Sequence, residues 1–243
     1  MTKTRYYNID MDVLDTPETL SRCLGYLESE SNHNLFFINA HCFNIAQKNI
    51  KYRESLNRSD ILLNDGIGIK LGAKKIGIKI KENMNGTDFV PKLLEFARDH
   101  NKNVYFLGGH EGIAATAAKK MQQKFPGISI VGCRNGYFDF DNDQELLDDI
   151  IRKKTEILIV GMGVPRQELW LTKNRDKLTG VKISVAGGAI LDFLSENVAR
   201  APGWMQKIGM EWVFRLLQEP RRLFKRYFIG IPLFHYYIFK LKP

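Results

Sequence analysis

The sequence has no apolar segment long enough to cross a membrane. Its most apolar stretch, residues 228–239, reaches about half of the ~20 residues that a membrane-spanning helix needs, and Gly230, Pro232 and His235 interrupt it. The first 13 residues contain no apolar core of the kind that signal peptides have. We therefore expect a cytoplasmic protein whose membrane association is peripheral, on the inner face of the cell membrane.

Cysteine is scarce, and its spacing excludes two kinds of site. The chain has three cysteines, Cys23, Cys42 and Cys133, an odd number without a CxxC pair. This disfavours a disulfide framework and a zinc site. Two acidic segments, residues 10–12 and 139–143, resemble DxD metal clamps, but aspartates before a helix commonly cap it. We predict that both segments are structural and that the protein needs no metal or other cofactor.

The common nucleotide-binding motifs are also missing. GMGVPR at residues 161–166 lacks the third glycine of GxGxxG, and Pro165 stands where the helix should begin. GGHEG at residues 108–112 has the wrong spacing, and neither GxxxxGKS nor GxxxxGKT occurs. These absences disfavour NAD and ATP chemistry, so an NAD(P)-dependent oxidoreductase stays only as an alternative.

Acidic residues are outnumbered by basic ones, and the excess is local. The chain has 36 Lys and Arg against 27 Asp and Glu, which gives a net charge of +9. Residues 197–243 alone carry nine basic and two acidic residues, or +7. On a helical wheel of this tail, basic residues lie on one side and apolar or aromatic residues on the other. The basic ones are Arg221, Arg222, Lys225 and Arg226, and the others are Leu223, Phe224, Tyr227, Phe228 and Ile231.

This pattern is typical of a helix that lies in an anionic membrane surface. A last helix packed on the protein body, with a solvated basic face, is the alternative. A nucleic-acid partner would also suit the charge, but the interleaved aromatic residues and the apolar run after Phe228 favour lipid. We predict no nucleic-acid binding. Apolar tail residues packed between subunits would give a homo-oligomer, which the pattern also allows.

Short apolar runs alternate with longer amphipathic segments along most of the chain. The predicted strands are residues 35–39, 61–64, 104–107, 128–131, 157–160 and 183–186, and the predicted helices are residues 16–30, 41–49, 87–100, 111–125, 144–153 and 165–173. This rhythm predicts an α/β fold: a Rossmann-like, mostly parallel sheet with helices on both faces. We place residues 187–194 at the sheet edge. We divide the chain into a catalytic domain, residues 1–196, and a C-terminal basic amphipathic helical appendage, residues 197–243.

Ligands of an open parallel sheet bind beyond the carboxyl ends of its strands. The residues at these ends are mostly polar or glycine: Asn39, Asn64, Asp65, Gly108, Gly109, Tyr137, Gly161, Gly187 and Gly188. Glycines let backbone N–H groups approach a ligand, and the helix starts behind them favour an anion such as a diphosphate. We predict that these residues bind a nucleotide-type ligand.

Asp65 follows an apolar strand and precedes Gly66, so it should stand inside the cleft. There, partial desolvation would raise its pKa toward that of a useful general base. The alternative is an aspartate that caps the next helix, and spacing alone does not separate the two. Asp192, shortly after Gly187 and Gly188, would bind a ribose hydroxyl or cap a turn.

Several segments together resemble one protein family. They are INAHCFNIAQKN (38–49), LLNDGIGI (62–69), NGTDFVP (85–91), FLGG (106–109), GYFD (136–139), VGMGVPRQELWL (160–171) and residues 187–227. In this order, and over nearly the whole chain, they resemble the WecG/TagA/CpsF glycosyltransferases of bacterial surface-polysaccharide synthesis.

The resemblance implies a metal-independent, inverting transfer of a hexose from a UDP-sugar to a saccharide on a polyprenyl diphosphate. The hexose in this family is N-acetylmannosamine, its uronic acid or glucose. The resemblance also implies a Rossmann-like body and a helical appendage that helps to close the site at the membrane.

By the same resemblance, Asp65 is the catalytic base, and Asn39 and Gln167 are polar residues of the substrate pocket. Phe37 departs from the family, because some members have threonine at this position. The departure bears on the identity of donor and acceptor more than on the reaction.

The resemblance also places Arg215, Arg221 and Arg222 where family arginines reach the diphosphate. We therefore expect them to act with Asp65 in catalysis. The alternative from another functional class is a membrane-surface or nucleic-acid binding module with an inactive nucleotide cleft.

Overall fold

The computed structural model describes residues 3–207 and 209–241. It contains a six-stranded sheet, whose strands all run parallel, and a two-stranded antiparallel hairpin. The hairpin consists of β1 (Thr4–Tyr6) and β2 (Ile9–Met11). The sheet strands are β3 (His33–Ile38), β4 (Ile61–Asn64), β5 (Val104–Gly108), β6 (Ile130–Arg134), β7 (Ile157–Gly161) and β8 (Ile183–Ala186). Their order in the sheet is β4-β3-β8-β7-β5-β6. The predicted Rossmann-like α/β class is confirmed.

Helices connect the strands and form the end of the chain. They are α1 (Thr16–Leu27), α2 (Ala40–Lys48), α3 (Ile50–Asn57), α4 (Gly66–Lys75), α5 (Gly86–Asp99), α6 (Ile113–Lys124), α7 (Gln144–Arg152), α8 (Arg166–Asn174), α9 (Ile190–Leu194), α10 (Gly203–Lys207), α11 (Glu211–Gln218), α12 (Pro220–Phe224) and α13 (Gly230–Lys240). A π-helical turn, Lys225–Ile229, joins α12 to α13. The side chains of Asp15, Asn39, Asn49 and Asn85 accept backbone N–H bonds at the starts of α1, α2, α3 and α5, as N-cap residues do.

The sheet is buried on both faces, which explains its near-continuous apolar strands. Because successive side chains of a strand point to opposite faces, Phe36 and Ile38 of β3 pack into one core, and Leu35 and Phe37 pack into the other. The first core also contains residues of the hairpin, α2, α3, α4, α7, α8 and α13. The second contains residues of α1, α5, α6 and α9.

The helices that follow neighbouring strands pack on opposite faces of the sheet, and a crevice opens between them. Helix α9 follows β8 and packs into the second core, whereas α2 and α8 follow the adjacent strands β3 and β7 and pack into the first. A ligand site in an open parallel sheet is expected where the connections diverge in this way, outside the carboxyl ends of the strands. The fold therefore fixes the location of the candidate site.

One prediction about the sheet is wrong. Residues 187–194 do not form a sheet edge, because β8 pairs with both β3 and β7 in the middle of the sheet, and the chain then enters α9. The short run ISVA of β8 is buried throughout, as a central strand requires. The loop after β8 consequently lies inside the crevice.

The last helix packs on the body with one side only. Phe234 and Ile238 of α13 are buried in the first core. The hydroxyl of Tyr7 and the Nζ of Lys75 donate hydrogen bonds to the carbonyl of Ile238, at 3.1 Å and 2.7 Å. On the other side, Phe239 is 72% exposed. The inner side of α13 therefore packs on the body, as one of the two alternatives for this helix states. Its outer side, which includes the ring of Phe239, is exposed.

Within residues 3–207 and 209–241, none of the helices combines the length and the apolarity that a membrane crossing requires.

Candidate functional site

The candidate site is the crevice at the carboxyl ends of β3, β4, β7 and β8. It encloses about 300 Å³, including its open mouth. The lining residues are Phe37, Asn39, Cys42, Asp65, Gly86, Val164, Gln167, Glu168, Ala186, Gly187 and Gly188. Five residues that the sequence predicted for the site lie here together: Asn39, Asp65, Gln167, Gly187 and Gly188.

Asn39 connects two helix starts at the floor of this crevice. Its Oδ1 accepts hydrogen bonds from the backbone N–H groups of His41 and Cys42, at 3.1 Å and 3.0 Å. Its Nδ2 donates to Oδ2 of Asp65 at 3.1 Å. The cap on α2 therefore orients the amide so that its N–H group faces the carboxylate.

Asp65 stands at the N-cap position of α4, yet its side chain makes no capping hydrogen bond. The carboxylate bonds to Asn39 instead. Burial raises the pKa of Asp65, although the Asn39 bond and the charges of Arg226 and Arg215 act in the opposite direction. A carboxylate in this setting suits a general base better than a helix cap.

The side chain of Asn64 helps to hold the turn that contains Asp65. Its side chain is almost fully buried, and its Nδ2 donates to the carbonyl of Glu82 at 2.9 Å. The backbone N–H of Gly66 donates to Oδ1 of Asn83 at 2.7 Å. These bonds hold the turn that presents Asp65.

Arg215 and Arg226 carry positive charge toward Asp65. The guanidinium of Arg215 on α11 lies 4.9 Å from the ring centroid of Phe193, and its buried Nε has no hydrogen-bond partner among the described residues. Burial lowers the pKa of Arg215. Burial also lowers the pKa of His41 to about 4, and the charge of Arg226 contributes to this shift. Neither arginine lines the innermost crevice, but both lie close enough for their charges to lower the pKa of Asp65.

The structure places Arg221 and Arg222 differently from Arg226. Both are exposed, and Arg222 pairs with Glu219 of the preceding turn at 2.7 Å. Arg226 is only partly exposed, and it follows them within the π-helical turn Lys225–Ile229. The sequence pattern gave Arg226 no role in the site, because it counted this residue among the membrane-facing charges.

The glycine turns pack on one another rather than leaving their amides free. A β-carbon at Gly108 would lie 2.3 Å from the carbonyl oxygen of Gly161, so only glycine fits this close strand-end contact. The N–H of Gly109 donates to the carbonyl of Gly161 at 3.0 Å, and that of Gly187 to Val160 at 2.8 Å. These two amides already have protein partners, so an anion bound here would need other donors.

Gln167 ties together the turns that follow β7 and β8. Its Oε1 accepts hydrogen bonds from the backbone N–H groups of Gly163 and Gly188, at 3.2 Å and 3.0 Å. Its Nε2 donates to Oε1 of Glu168 at 2.9 Å. The predicted pocket residue thus shapes the crevice by holding its two glycine turns.

Glu168 is a buried carboxyl group that the sequence analysis missed. It is fully buried, and its Oε2 has no hydrogen-bond partner among the described residues. Burial raises the pKa of Glu168 to about 8, against the opposing bond from Gln167. Its only sequence signal is its place next to Gln167 in a turn of α8.

Tyr137 and Asp192 lie outside the innermost crevice. Tyr137 is 62% exposed, and its ring stacks on that of His110 with centroids 4.9 Å apart. Asp192 of α9 has a partly exposed side chain, and its backbone carbonyl accepts a bond from Ser195 Oγ at 3.0 Å. Their roles toward a nucleoside stay predictions.

The two acidic segments are engaged in contacts within the fold. Oδ2 of Asp143 accepts hydrogen bonds from Trp170 Nε1 at 2.7 Å and Asn174 Nδ2 at 2.8 Å. Asp12 pairs with Arg22 at 2.6 Å and accepts a bond from the N–H of Leu62 at 2.9 Å. Across the described part of the chain, His, Cys, Asp and Glu form no group of three or more that would hold a metal ion.

Comparison with known proteins identifies one family of glycosyltransferases and relatives with matching names. Residues 4–243 match the model of the family described as "Glycosyl transferase WecG/TagA/CpsF family". A protein of Bacillus spizizenii (strain ATCC 23059 / NRRL B-14472 / W23) is 33% identical over 177 residues, which cover 73% of this chain and 68% of that protein. A protein of Staphylococcus aureus (strain MW2) is 25% identical over 242 residues, which cover 99% of this chain and 93% of that protein. Both are named N-acetylglucosaminyldiphosphoundecaprenol N-acetyl-beta-D-mannosaminyltransferase.

Proposed function

Because the chain belongs to the WecG/TagA/CpsF family of glycosyltransferases, we propose that it transfers a hexose from a UDP-sugar to a saccharide on a polyprenyl diphosphate. The names of the two relatives make N-acetylmannosamine the first candidate for the hexose and N-acetylglucosaminyldiphosphoundecaprenol the first candidate for the acceptor. The uronic acid of N-acetylmannosamine and glucose are the other candidate sugars. The carrying observation is the Asp65 carboxylate, bonded to Asn39 and facing the charges of Arg215 and Arg226.

We propose a single displacement with inversion at the anomeric carbon. Asp65 takes the proton of the acceptor hydroxyl, whose oxygen forms the new bond to the anomeric carbon. The bond between that carbon and the UDP oxygen breaks on the opposite face, and UDP leaves with the bonding electrons. The raised pKa of Asp65 supports this role, since a base works best when its pKa approaches the working pH.

The leaving diphosphate needs positive charge in the crevice. Arg215 and Arg226 provide it, and the Nε of Arg215, which has no hydrogen-bond partner among the described residues, supplies a donor for a phosphate oxygen. The residues from 197 onward would then act as a lid that completes the site. Arg221 and Arg222, which are exposed, would instead face lipid phosphates or the outer part of the diphosphate.

Tyr137 and Asp192 would bind the nucleoside at the outer end of the crevice. The exposed ring of Tyr137 offers a flat surface for uracil, and His110 supports it from behind. Asp192, shortly after the β8 turn, offers a carboxylate to the ribose hydroxyls. Phe37 forms an apolar wall in the innermost crevice, where it would contact the transferred sugar.

The exposed aromatic side of the tail supports peripheral attachment to a membrane. Phe224 and Phe228 are more than half exposed and stack with ring centroids 4.4 Å apart. Aromatic rings beside basic residues favour the boundary of an anionic bilayer. Attachment there would bring the crevice to the lipid-linked acceptor.

A thermal-shift panel tests the ligand class. The full-length protein is measured with UDP, UDP-N-acetylmannosamine, UDP-N-acetylglucosamine, UDP-glucose, ADP, GDP and NAD, with and without EDTA. The proposal expects stabilisation by the UDP compounds alone, unchanged by EDTA. Stabilisation by NAD, or by none of these compounds, contradicts it.

A further inference from the structure

Helix α4 follows Asp65, its N-cap residue, and carries a basic and apolar outer face. Residues 66–81 contain five lysines and no aspartate or glutamate. On α4, Ile67 and Leu71 are 51% and 50% exposed, and Lys70 and Lys74 are exposed beside them. The spacing of three and four residues puts all four on one side of the helix. We call these four residues the α4 surface.

The inner side of α4 is held tightly against the body. A β-carbon at Gly72 would lie 2.1 Å from the hydroxyl of Tyr6, and one at Gly68 would lie 3.1 Å from Cβ of Ala40. Ile69 and Ala73 are fully buried. The body therefore presents the α4 surface on a fixed helix rather than on a loose segment.

Helix α4 borders the tail at both of its ends. At one end, a β-carbon on Gly209 would lie 3.2 Å from Cδ1 of Ile67. At the other, Lys75 donates to the carbonyl of Ile238 at 2.7 Å, and its Nζ lies 3.7 Å from the ring centroid of Phe239. Helix α4 thus contacts the tail near Gly209 and again at α13.

From this arrangement we propose that the α4 surface is a second membrane-binding element, which docks on anionic phospholipid headgroups together with the tail. The binding of lipid by α4 does not depend on the proposed function, but its benefit to the enzyme does. A lipid-linked acceptor lies at the bilayer surface, and α4 would orient the Asp65 end of the helix toward it. Lysines would contact the phosphates, while Ile67 and Leu71 would enter the headgroup boundary.

Two other occupants fit the surface less well. A second copy of the chain in a symmetric contact would bring Lys70 and Lys74 against their own copies, and like charges repel. A nucleic acid would suit the lysines but would gain little from exposed Ile67 and Leu71, because its phosphate backbone is polar. Anionic lipid uses both the charge and the apolar side chains.

Vesicle co-sedimentation of the full-length protein tests the proposal. The vesicles are phosphatidylcholine with and without phosphatidylglycerol, and they contain neither donor nor acceptor. Since one basic residue near an anionic surface strengthens binding by about fivefold, loss of two lysines weakens it by about 25-fold, and the charge-reversing double variant K70E/K74E should bind anionic vesicles at least that much more weakly. The variant K119E/K177E, with the same charge change at two exposed lysines of other elements, is the control and should bind nearly as the wild type does.

The apolar contribution has its own pair of variants. Leu71→Ser should weaken vesicle binding, while Leu24→Ser, at a residue that is 41% exposed on α1, should not. Thermal unfolding checks that each variant folds, and K70Q/K74Q replaces the charge reversal if that variant does not. Equal binding by the α4 variants and their controls overturns the proposal. Equal binding of the wild type to vesicles with and without phosphatidylglycerol also overturns it. A third contrary result is that the α4 variants lose binding to a nucleic acid but bind vesicles as the wild type does.

Turnover separates this proposal from the proposed function. Transfer to a short-chain, water-soluble acceptor analogue without vesicles should be the same for K70E/K74E and the wild type. If the wild type itself shows no transfer, the proposed function fails, while the vesicle measurements still decide whether α4 binds lipid.

Discussion

The Nδ2 of Asn39 donates a hydrogen bond to Oδ2 of Asp65 at 3.1 Å, across the carboxyl ends of β3 and β4. The two residues follow neighbouring parallel strands, and both stand at helix starts. Only Asn39 uses its side chain to cap its helix. Asp65 is thereby left with a carboxylate that is held in place and available for chemistry.

The variant Asp65→Asn should lose activity but keep its fold. Asparagine accepts no proton from the acceptor, so we expect kcat to fall by about 10²- to 10⁴-fold. The melting temperature should change little, because the Asp65 side chain makes no capping bond to lose. Steady-state kinetics and thermal unfolding measure the two effects. Full activity in this variant contradicts the assignment of the base.

The variant Asn39→Ala should move the acidic limb of the pH–rate profile to higher pH. The Asn39 N–H favours the ionised form of Asp65 and so lowers its pKa. Without this bond the pKa rises further, and a higher pH is needed to obtain the active carboxylate. The pH dependence of kcat/KM measures the shift.

Asn49→Ala is the matched control for this variant. It removes the N-cap of α3, where Asn49 accepts from the N–H of Tyr52 at 3.0 Å, without touching Asp65. Both variants should lose about 1 kcal/mol of stability. The pH profile should move only in the Asn39 variant, and an equal displacement in both would assign the effect to lost helix capping.

Among the tail arginines, Arg226→Ala and Arg215→Ala should impair transfer more than Arg221→Ala. Loss of a charge-assisted hydrogen bond costs about 1.5–3 kcal/mol, or about 10- to 100-fold in kcat/KM. Arg221 is exposed, so its loss should matter little with a water-soluble acceptor. Kinetics without vesicles make the comparison. The reverse ranking would show that the tail adopts another arrangement during turnover.

Glu168→Gln should alter how stability depends on pH. Burial raises the pKa of Glu168 from 4.5 to about 8, so the folded protein holds a proton that the unfolded chain releases within this range. The free energy of unfolding of the wild type therefore falls as the pH rises between these values. Glu168 contributes up to about 1.4 kcal/mol per pH unit to this fall. Urea unfolding should show that Glu168→Gln is relatively more stable at pH 8 than at pH 5. The exposed-residue variant Glu145→Gln is the control, and the same trend there would contradict the account.

The predicted strands are close to those observed where both faces are buried. Residues 104–107 and 157–160 each fall one residue short of β5 and β7, because buried parallel strands read as continuous apolar runs. The prediction for β6 begins two residues early and stops at residue 131, since this edge strand ends in the exposed Cys133 and the partly exposed Arg134. Helix α3 was missed because its buried face includes Tyr52 and Ser55, which gives a weak apolar pattern.

Strand ends predicted the site only in part. The meeting of Asn39 with Asp65 follows from their positions after neighbouring strands. The sequence could not predict that glycine N–H groups donate to protein atoms rather than to a ligand. Those of Gly163 and Gly188 both donate to Oε1 of Gln167, and such tertiary contacts cannot be read from spacing. Nor could the position of Arg226 be predicted, since the π-helical turn changes which tail residues face the body.

The most direct test of the central claim is a transfer assay with purified full-length protein. UDP-N-acetylmannosamine and a short-chain N-acetylglucosaminyl diphospholipid are incubated with EDTA, and the products are identified by mass spectrometry and NMR. The account predicts UDP and a disaccharide lipid with inverted anomeric configuration, formed by the wild type and nearly absent with Asp65→Asn. Failure of the wild type to form a disaccharide from any of the UDP-sugars, or equal product from the Asp65 variant, would contradict it.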